Sequence, residues 1–573
     1  MNPLTILAIA LGVLLVVLLI VVLARTFSFP IESDEVVPLD LDEIDGEGVA
    51  QRIGLAVQYR TIANPDPTLT DPKPFEGLHD LLRTLYPQIF ERLTCEVIGQ
   101  QALLITWLGS DPSLDPVCFA AHQDVVPADE GIDSGWTYPP FSGVLEDGYV
   151  WGRGTLDCKC TLIGILEAVN NLLKSDYEPI RTIYLAFGDD EEVSGLYGAK
   201  AIVETLQTRG VRLSFLLDEG GSVTTGTFSG IDQPVGLIGI SEKGYLTLKL
   251  KAKVPSGHSA TPPAHTAIGA LSLAIATLES NPFPQEIEVA QFMMSYLGKA
   301  LPFGQRMQYA NPWLFGGSLK RKLASNPMTN AITRTTIAPT IIQAGSAENV
   351  LPAEAEALIN FRIMPGETIR DVYEAVNDLV GDEVVEVLPA HGDTLENEHA
   401  WNPTPVADVD SVQFEQLADL ISACFPGALT APYMMTGATD SRHYAPICQN
   451  AFRFSPVFLT PEGTKTVHGI NERLSFINAG RMVAFYQEII RQESSLTRED
   501  ELAEEYEETQ LPEFEPEPEL AVRSMKKKDK KKRELPLELE QELPQPTEPD
   551  QFPEMAPLPD DDAPLEVKPL KKE

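Results

Sequence analysis

The 573-residue chain is 43% hydrophobic and 22% charged, which is apolar content for a large core and length for two or more folding units. Its net charge of −41 excludes a nucleic-acid binder, which needs a Lys and Arg surplus for phosphates, and is equally poor for electrostatic adhesion to anionic lipid. Six cysteines without a CxxC pair (Cys95, Cys118, Cys158, Cys160, Cys424 and Cys448) exclude a disulfide-built scaffold and a structural zinc knuckle.

Residues 4–24 (LTILAIALGVLLVVLLIVVLA) form an uncharged run of 21 residues, enough for a helix to cross about 30 Å of hydrocarbon. A secretory signal has a shorter apolar region of ~7–15 residues, a basic start and a small-residue cleavage site. Here no Lys or Arg precedes the run and no clean A-x-A comes after it. An uncleaved transmembrane anchor is therefore expected. Only Arg25 lies close to either end, so charge is a poor guide to orientation.

The body alternates. Residues 116–121 (PVCFAA) read as a buried strand, 162–174 as a helix, 181–187 (RTIYLAF) as a strand, 195–210 as a helix with a glycine stop, and 213–217 (LSFLL) as a strand. This order predicts an α/β fold with a mainly parallel sheet flanked by helices, and sites just beyond the carboxyl ends of the strands. Each strand leads directly into metal-type side chains. His122 and Asp124 come after the first, Asp189 to Glu192 after the second, and Asp218 and Glu219 after the third. Asp157 lies between the first two, and His468 near the end of the body. Acids packed together repel unless cations compensate. Imidazole mixed with carboxylate suits zinc, with manganese or cobalt as substitutes.

From about Ser241 the pattern changes. Residues 245–254 (YLTLKLKAKV) and 353–363 alternate as half-exposed antiparallel strands should, with a helix between them that includes 267–278. The segment 290–335 is rich in Met and aromatic residues and reads as core packing, or as a lid surface for a bulky apolar group.

The stretches AAHQDVVPA, FSGVLEDGYVWGRGTLDCK, GDDEEVSGLYGAK, LLDEGG, GHSATPP, SAENVLPAEAEALINFR, TGATDSRHY and VHGINE occur in this order between about residues 48 and 492. Together they resemble the co-catalytic zinc exopeptidases that include aminoacylase. The branch with carboxypeptidase S and the N-fatty-acyl-amino-acid synthase/hydrolase is the most similar, through WGRGTLD, DEEVSG and LDEGG. The resemblance implies two zinc ions held by His122, Asp157 as the bridge, Glu192, His468, and either Asp218 or Glu219. It implies that Asp124 orients His122 and that Glu191 is the general base. It implies a catalytic domain in two parts, 48–240 and 391–492, interrupted by an α+β lid or dimerisation domain at 241–390. His258 would help polarise the substrate carbonyl, often across a homodimer, while Asn349, Arg362 and Gly437 would hold a substrate with a free carboxylate. Thr436 and Arg442 belong to the same loop as Gly437. The chain departs from the family at Cys158, where relatives carry an acid or Gly. A filler, an extra soft ligand and an oxidation-sensitive thiol all stay open there. Ser194 also replaces a usual Gly.

From about Glu493 the sequence turns Pro-rich and acidic. Residues 494–573 hold 24 Asp/Glu against 12 Lys/Arg, and a basic island at 526–533 interrupts them. Such a segment predicts disorder. The expectation is thus a membrane-anchored dinuclear zinc amidohydrolase, its body lumenal or extracytoplasmic, that cleaves an amide beside a free α-carboxylate. The substrate would be a peptide or an N-acyl amino acid, and the reverse condensation is open to it. The rival is an inactive membrane scaffold that keeps the fold, and loss of ligands would mark it.

Overall fold

The apolar run at the N-terminus becomes a helix, Pro3–Phe27, with Asn2 capping it by accepting the Leu4 N–H at 3.1 Å and Pro3 at its first position. It belongs to a computed structural model that describes residues 2–31, 36–39, 44–131 and 133–497. Most of the helix exposes its apolar side chains, but Val22 and Thr26 are buried.

The main sheet has ten strands. At its centre Ile183–Gly188, Val117–His122, Phe215–Asp218 and Ala451–Arg453 run parallel. Thr94–Ile98 and Ala102–Trp107 extend one side antiparallel, and Val235–Glu242 joins the other side, pairing in parallel with Leu429–Met435. The sheet is therefore parallel where it is most buried and mixed toward its edges. The first three of the central strands are buried along their whole length, which is why they read as continuous apolar runs rather than alternating ones.

Successive residues still divide between two faces. Val117, Phe119 and Ala121 pack with Leu162, Ile163, Leu166 and Tyr486 of the helices Lys159–Lys174 and Phe476–Ser495. Cys118 and Ala120 face the opposite way, toward Ile202, Val203 and Leu206 of Ala199–Thr208. Both faces are covered, so the strand ends are the open positions left for chemistry.

A second core forms around four antiparallel strands in the order Thr336–Ala344, Glu354–Ile363, Gly244–Lys253 and Val385–Pro389. Ile359, Phe361 and Leu248 meet Leu271 and Val372 of the helices Ala267–Ser280 and Ile369–Val380. Between these strands the chain makes four helices over 287–331. Their buried Met293, Met294, Leu297 and Tyr309 join a separate cluster with Val235, Ala431 and Tyr433 of the main sheet.

The final helix continues to Ser495, with Glu493 and Ser494 buried. Ordered structure thus runs past the boundary expected at Glu493, because this helix docks its apolar face on the core and carries its acidic end with it. The rest of the expected acidic tail, 498–573, lies outside the described residues.

Phe119 is fully buried, with its ring 5.9 Å from Phe215 and 6.4 Å from Tyr486. Phe119→Ala should lower stability by about 3–5 kcal/mol, read as a fall in the urea midpoint tracked by circular dichroism.

Candidate metal centre

His122 is the last residue of its strand, Glu191 and Glu192 sit in the short turn after Ile183–Gly188, and Glu219 comes directly after the last residue of Phe215–Asp218. Asp157 lies just ahead of the helix Lys159–Lys174, joined to Cys158 by a cis peptide bond. His468 comes from a loop far along the chain. The fold brings these together. Asp157 lies between the two imidazoles, with Oδ1 2.9 Å from His122 Nε2 and Oδ2 3.0 Å from His468 Nε2. His468 Nε2 is also 3.1 Å from a Glu192 carboxylate oxygen. Asp157, Glu192 and His468 form one group able to hold a cation, and His122 with Glu191 and Glu192 another.

The electrostatics show what this crowding does. Burial, reinforced by Glu219, Asp157 and Glu192, pushes Glu191 well above the ordinary carboxylate range, against the opposing pull of His122. Burial beside Asp157 and Asp218 raises Glu219 in the same way. Burial works to raise Asp157 too, but hydrogen bonds from both histidines outweigh it and hold its carboxyl low. His468 is lifted to about 10 by its hydrogen bonds to Asp157 and Glu192. Two imidazoles thus crowd against the acids at a place where divalent cations would neutralise them. The mixed N/O donor set fits zinc and its common divalent substitutes.

The two neighbouring acids at 218 and 219 separate. Asp218 is buried with Oδ1 accepting the Glu219 N–H at 2.9 Å and Oδ2 accepting the Ser441 N–H at 2.8 Å. Both its oxygens are engaged by backbone. Among the described residues Glu219 has no side-chain hydrogen bond, and its electrostatic neighbours include Asp157, His122 and Glu192.

Asp124 does more than the sequence signals. His122 Nδ1 is 3.0 Å from the Asp124 backbone carbonyl and 3.3 Å from its carboxylate. The same carboxylate accepts the backbone N–H of Glu191 at 3.1 Å and of Glu192 at 3.0 Å. One buried side chain therefore fixes the imidazole and the turn carrying both glutamates. Cys158 is fully buried, and its Sγ accepts the His122 N–H at 3.2 Å. Burial raises its thiol above the usual range, and with His122 and Asp157 it forms a further group close enough to hold a cation.

Glu472, only four residues after His468, is the residue that sequence reasoning left without a role. It is fully buried and accepts Arg153 Nη1 at 2.5 Å and the backbone N–H groups of Gly154, Leu156 and Asp157 at 3.0, 2.7 and 3.2 Å. It ties the His468 loop to the Asp157 loop. Ser194 adopts a left-handed backbone (φ 109°), and its carbonyl accepts Arg442 Nη2 at 2.5 Å and faces His443 Nε2 at 2.9 Å.

None of the residues expected to clamp substrate belongs to the groups able to hold a cation among the described residues. His258 and Asn349 are neighbours on an exposed two-stranded ribbon, Gly257–His258 with Val350–Leu351, where the Ser259 N–H donates to the Asn349 carbonyl. Among the described residues neither bonds to the histidine and carboxylate cluster. Arg362 stacks over Tyr245 (4.7 Å), Tyr245 stacks on Trp401 (4.8 Å between ring centres), and Arg442 covers Trp401 (4.4 Å). Gly437 sits in an exposed turn after Leu429–Met435, with open space where a Cβ would be.

Comparison with known proteins defines the class. Residues 118–492 match the family described as Peptidase family M20/M25/M40. The chain is 38% identical over 487 residues to an N-fatty-acyl-amino acid synthase/hydrolase of Xenopus tropicalis, covering 83% of this chain and 93% of the relative. It is 35% identical over 488 residues to a probable carboxypeptidase S-like protein of Dictyostelium discoideum, covering 83% and 92%. An M20 family metallo-carboxypeptidase of Sulfolobus solfataricus shares the fold, with a TM-score of 0.56 at 16% identity over 78% of this chain and 99% of that one. The chain belongs to the M20/M25/M40 peptidase family. It is an amide-bond hydrolase of the metal-dependent peptidase and aminoacylase type.

Glu472→Gln should keep the fold but lower metal retention through chelating dialysis by at least tenfold, measured by elemental analysis, because the Asp157 loop loses its charged clamp. His468 has a folded pKa raised above the ordinary 6.5. In the chelated protein its stabilising contribution is therefore complete below about 6.5 and is lost as pH rises through about 10. Thermal midpoints of chelated native protein should fall across that window, and His468→Asn should flatten that fall.

Proposed function

We propose that this chain is a membrane-anchored dinuclear zinc hydrolase that cleaves an amide bond next to a free α-carboxylate. The observation that carries the reading is Asp157, whose two oxygens each face a different imidazole, as a carboxylate shared by two ions requires. His122, Glu192, His468 and Glu219 complete the ligand set, and Asp218 supports it from behind. Manganese or cobalt would fit the same donors. When bound, the ions supply Lewis acidity, lowering the pKa of water toward ~7 and polarising the scissile carbonyl.

The chain's own residues do the rest. Glu191, free to face the cleft because Asp124 holds its backbone, takes a proton from the attacking water on its carboxylate and returns it to the leaving nitrogen. Arg362 and Gly437 receive the substrate carboxylate, for which a planar guanidinium offers two parallel donors, and Asn349 joins them from the ribbon that it shares with His258, delivered with it by a second copy.

His258 polarises the carbonyl oxygen. Its exposed ribbon, separate from the cluster of its own chain, favours delivery from a second copy. The strand Thr336–Ala344 supports a homodimer, because it is a free sheet edge with Ile341 and Ile342 exposed. In this reading 241–390 is the lid and dimerisation domain, and 48–240 with 391–492 is the catalytic domain.

The helix Pro3–Phe27 supports the anchor, since an 18-residue window of it has mean hydropathy 3.6 and it is long enough to span. The body would then stand on the lumenal or extracytoplasmic side. The two relatives carry the substrate choice: an N-fatty-acyl amino acid, with peptides bearing a free C-terminus as the second class. Glu191→Gln should retain the native metal content and lose about 10²–10⁴-fold in kcat on N-acyl amino acids. Release of free amino acid from a panel of N-fatty-acyl amino acids and dipeptides checks it. Native turnover in that variant would remove Glu191 as the base.

A further inference from the structure

The N-terminal helix does not leave the body as a free stalk. Asn311, at the junction of the helices Phe303–Ala310 and Pro312–Ala324, donates from Nδ2 to the Val22 carbonyl at 3.3 Å and to Thr26 Oγ1 at 3.2 Å. Arg25 Nε donates to the Ala310 carbonyl at 3.1 Å, and the Phe27 ring lies 6.0 Å from Phe303. Val22 and Thr26 are buried by this contact, and Leu18, one turn earlier, is half-buried.

The depth is set by helix geometry. The apolar run ends at Ala24, so Val22 lies about 3 Å and Leu18 about 9 Å inside it at ~1.5 Å rise per residue. A pair of helices sealed against those two turns has to enter the outermost few ångströms of any bilayer that the run spans. An amphipathic helix lying in an interface sits at a similar depth, about 5–10 Å.

The side chains fit such a place. On Pro312–Ala324, Leu319 and Leu323 point inward, while Trp313, Leu314, Lys320 and Arg321 occupy the outward face. Trp313 and Leu314 are 53% and 46% exposed, and Phe303 and Phe27 are exposed beside them. Trp313 is two residues from Asn311, hence within about 7 Å of chain from the contact with the N-terminal helix. A tryptophan and a leucine beside basic residues suit the boundary between acyl chains and headgroup phosphates. The inner residues Tyr309, Leu319 and Leu323 share one apolar cluster with Met293 and Met294 of the helix Ile287–Tyr296 and with Tyr433 of the main sheet, so the patch is fixed to the catalytic body.

We propose that the corner formed by Phe303–Ala310 and Pro312–Ala324 is a bilayer-docking surface. It inserts Trp313 and Leu314 into the interface of the same membrane that the Pro3–Phe27 helix crosses. This rests on the membrane-anchor reading. It adds that the body lies against the bilayer in one fixed orientation, with the 287–331 helices between lipid and main sheet.

The test uses the full chain reconstituted into phosphatidylcholine vesicles whose acyl chains carry bromine near the headgroup. Trp313 is one of five tryptophans in the chain. Part of the tryptophan emission should be quenched relative to unbrominated vesicles, and that quenched part should be lost in Trp313→Phe, with circular dichroism confirming that the variant folds. Quenching that persists unchanged in Trp313→Phe, or no quenching while the chain floats with the vesicles after an alkaline wash, would overturn the docking and leave the anchor standing. Chemical cross-links between copies through Trp313, without quenching, would assign the face to a second copy instead and also overturn it. Release of the chain by the alkaline wash would overturn the anchor itself and the docking with it.

Discussion

Asp157, Glu191, Glu192 and Glu219 are held together at the carboxyl edge of a buried sheet, and their mutual repulsion is the constraint around which the rest is organised. Carboxylates taken out of water repel strongly and lose hydration together. Two responses are visible. Both imidazoles press against Asp157, and Glu191 and Glu219 are driven toward their protonated forms. The same crowding makes the place a strong sink for divalent cations, which neutralise several acids at once.

Holding such a cluster open requires rigid support, and the structure supplies it from three directions. The parallel strands deliver His122 and the Asp218–Glu219 corner from a core packed on both faces. Asp124 binds the Glu191–Glu192 turn through two backbone N–H groups. Glu472 gathers three backbone N–H groups and Arg153 around Asp157. A further network of Glu242 with Arg453, Thr439 and Ser441 backs Asp218 from inside the fold. The groups nearest the chemistry are thus carried on short turns whose own hydrogen bonds are spoken for.

Much of this was legible in the sequence. The strands Val117–His122, Ile183–Gly188 and Phe215–Asp218 announce themselves as unbroken apolar runs because both of their faces are buried, and Glu354–Ile363 as an alternating one because only one face is. The acids after those strands stand out for the same reason. The hidden features depend on direction or on distance along the chain. Asp218 and Glu219 are adjacent and chemically alike, and only the backbone path shows that the first turns into the protein. Glu472 meets Arg153 across 319 positions, a pairing with no local signature. The last three residues of the final helix read as the start of an acidic tail because Glu493, though buried, resembles the residues beyond it. The attachment of 287–331 to the N-terminal helix runs through Asn311 and Arg25 to backbone carbonyls and through Asn311 to Thr26, which composition does not mark.

The shared role of Asp157 is tested most directly by titrating zinc into the chelated full-length protein by calorimetry. Two equivalents should bind to the native chain, and Asp157→Ala, with its fold intact by circular dichroism, should lose both together. Uptake of two equivalents by that variant, or none by the native chain, would contradict a centre built on a carboxylate held in common by two ions.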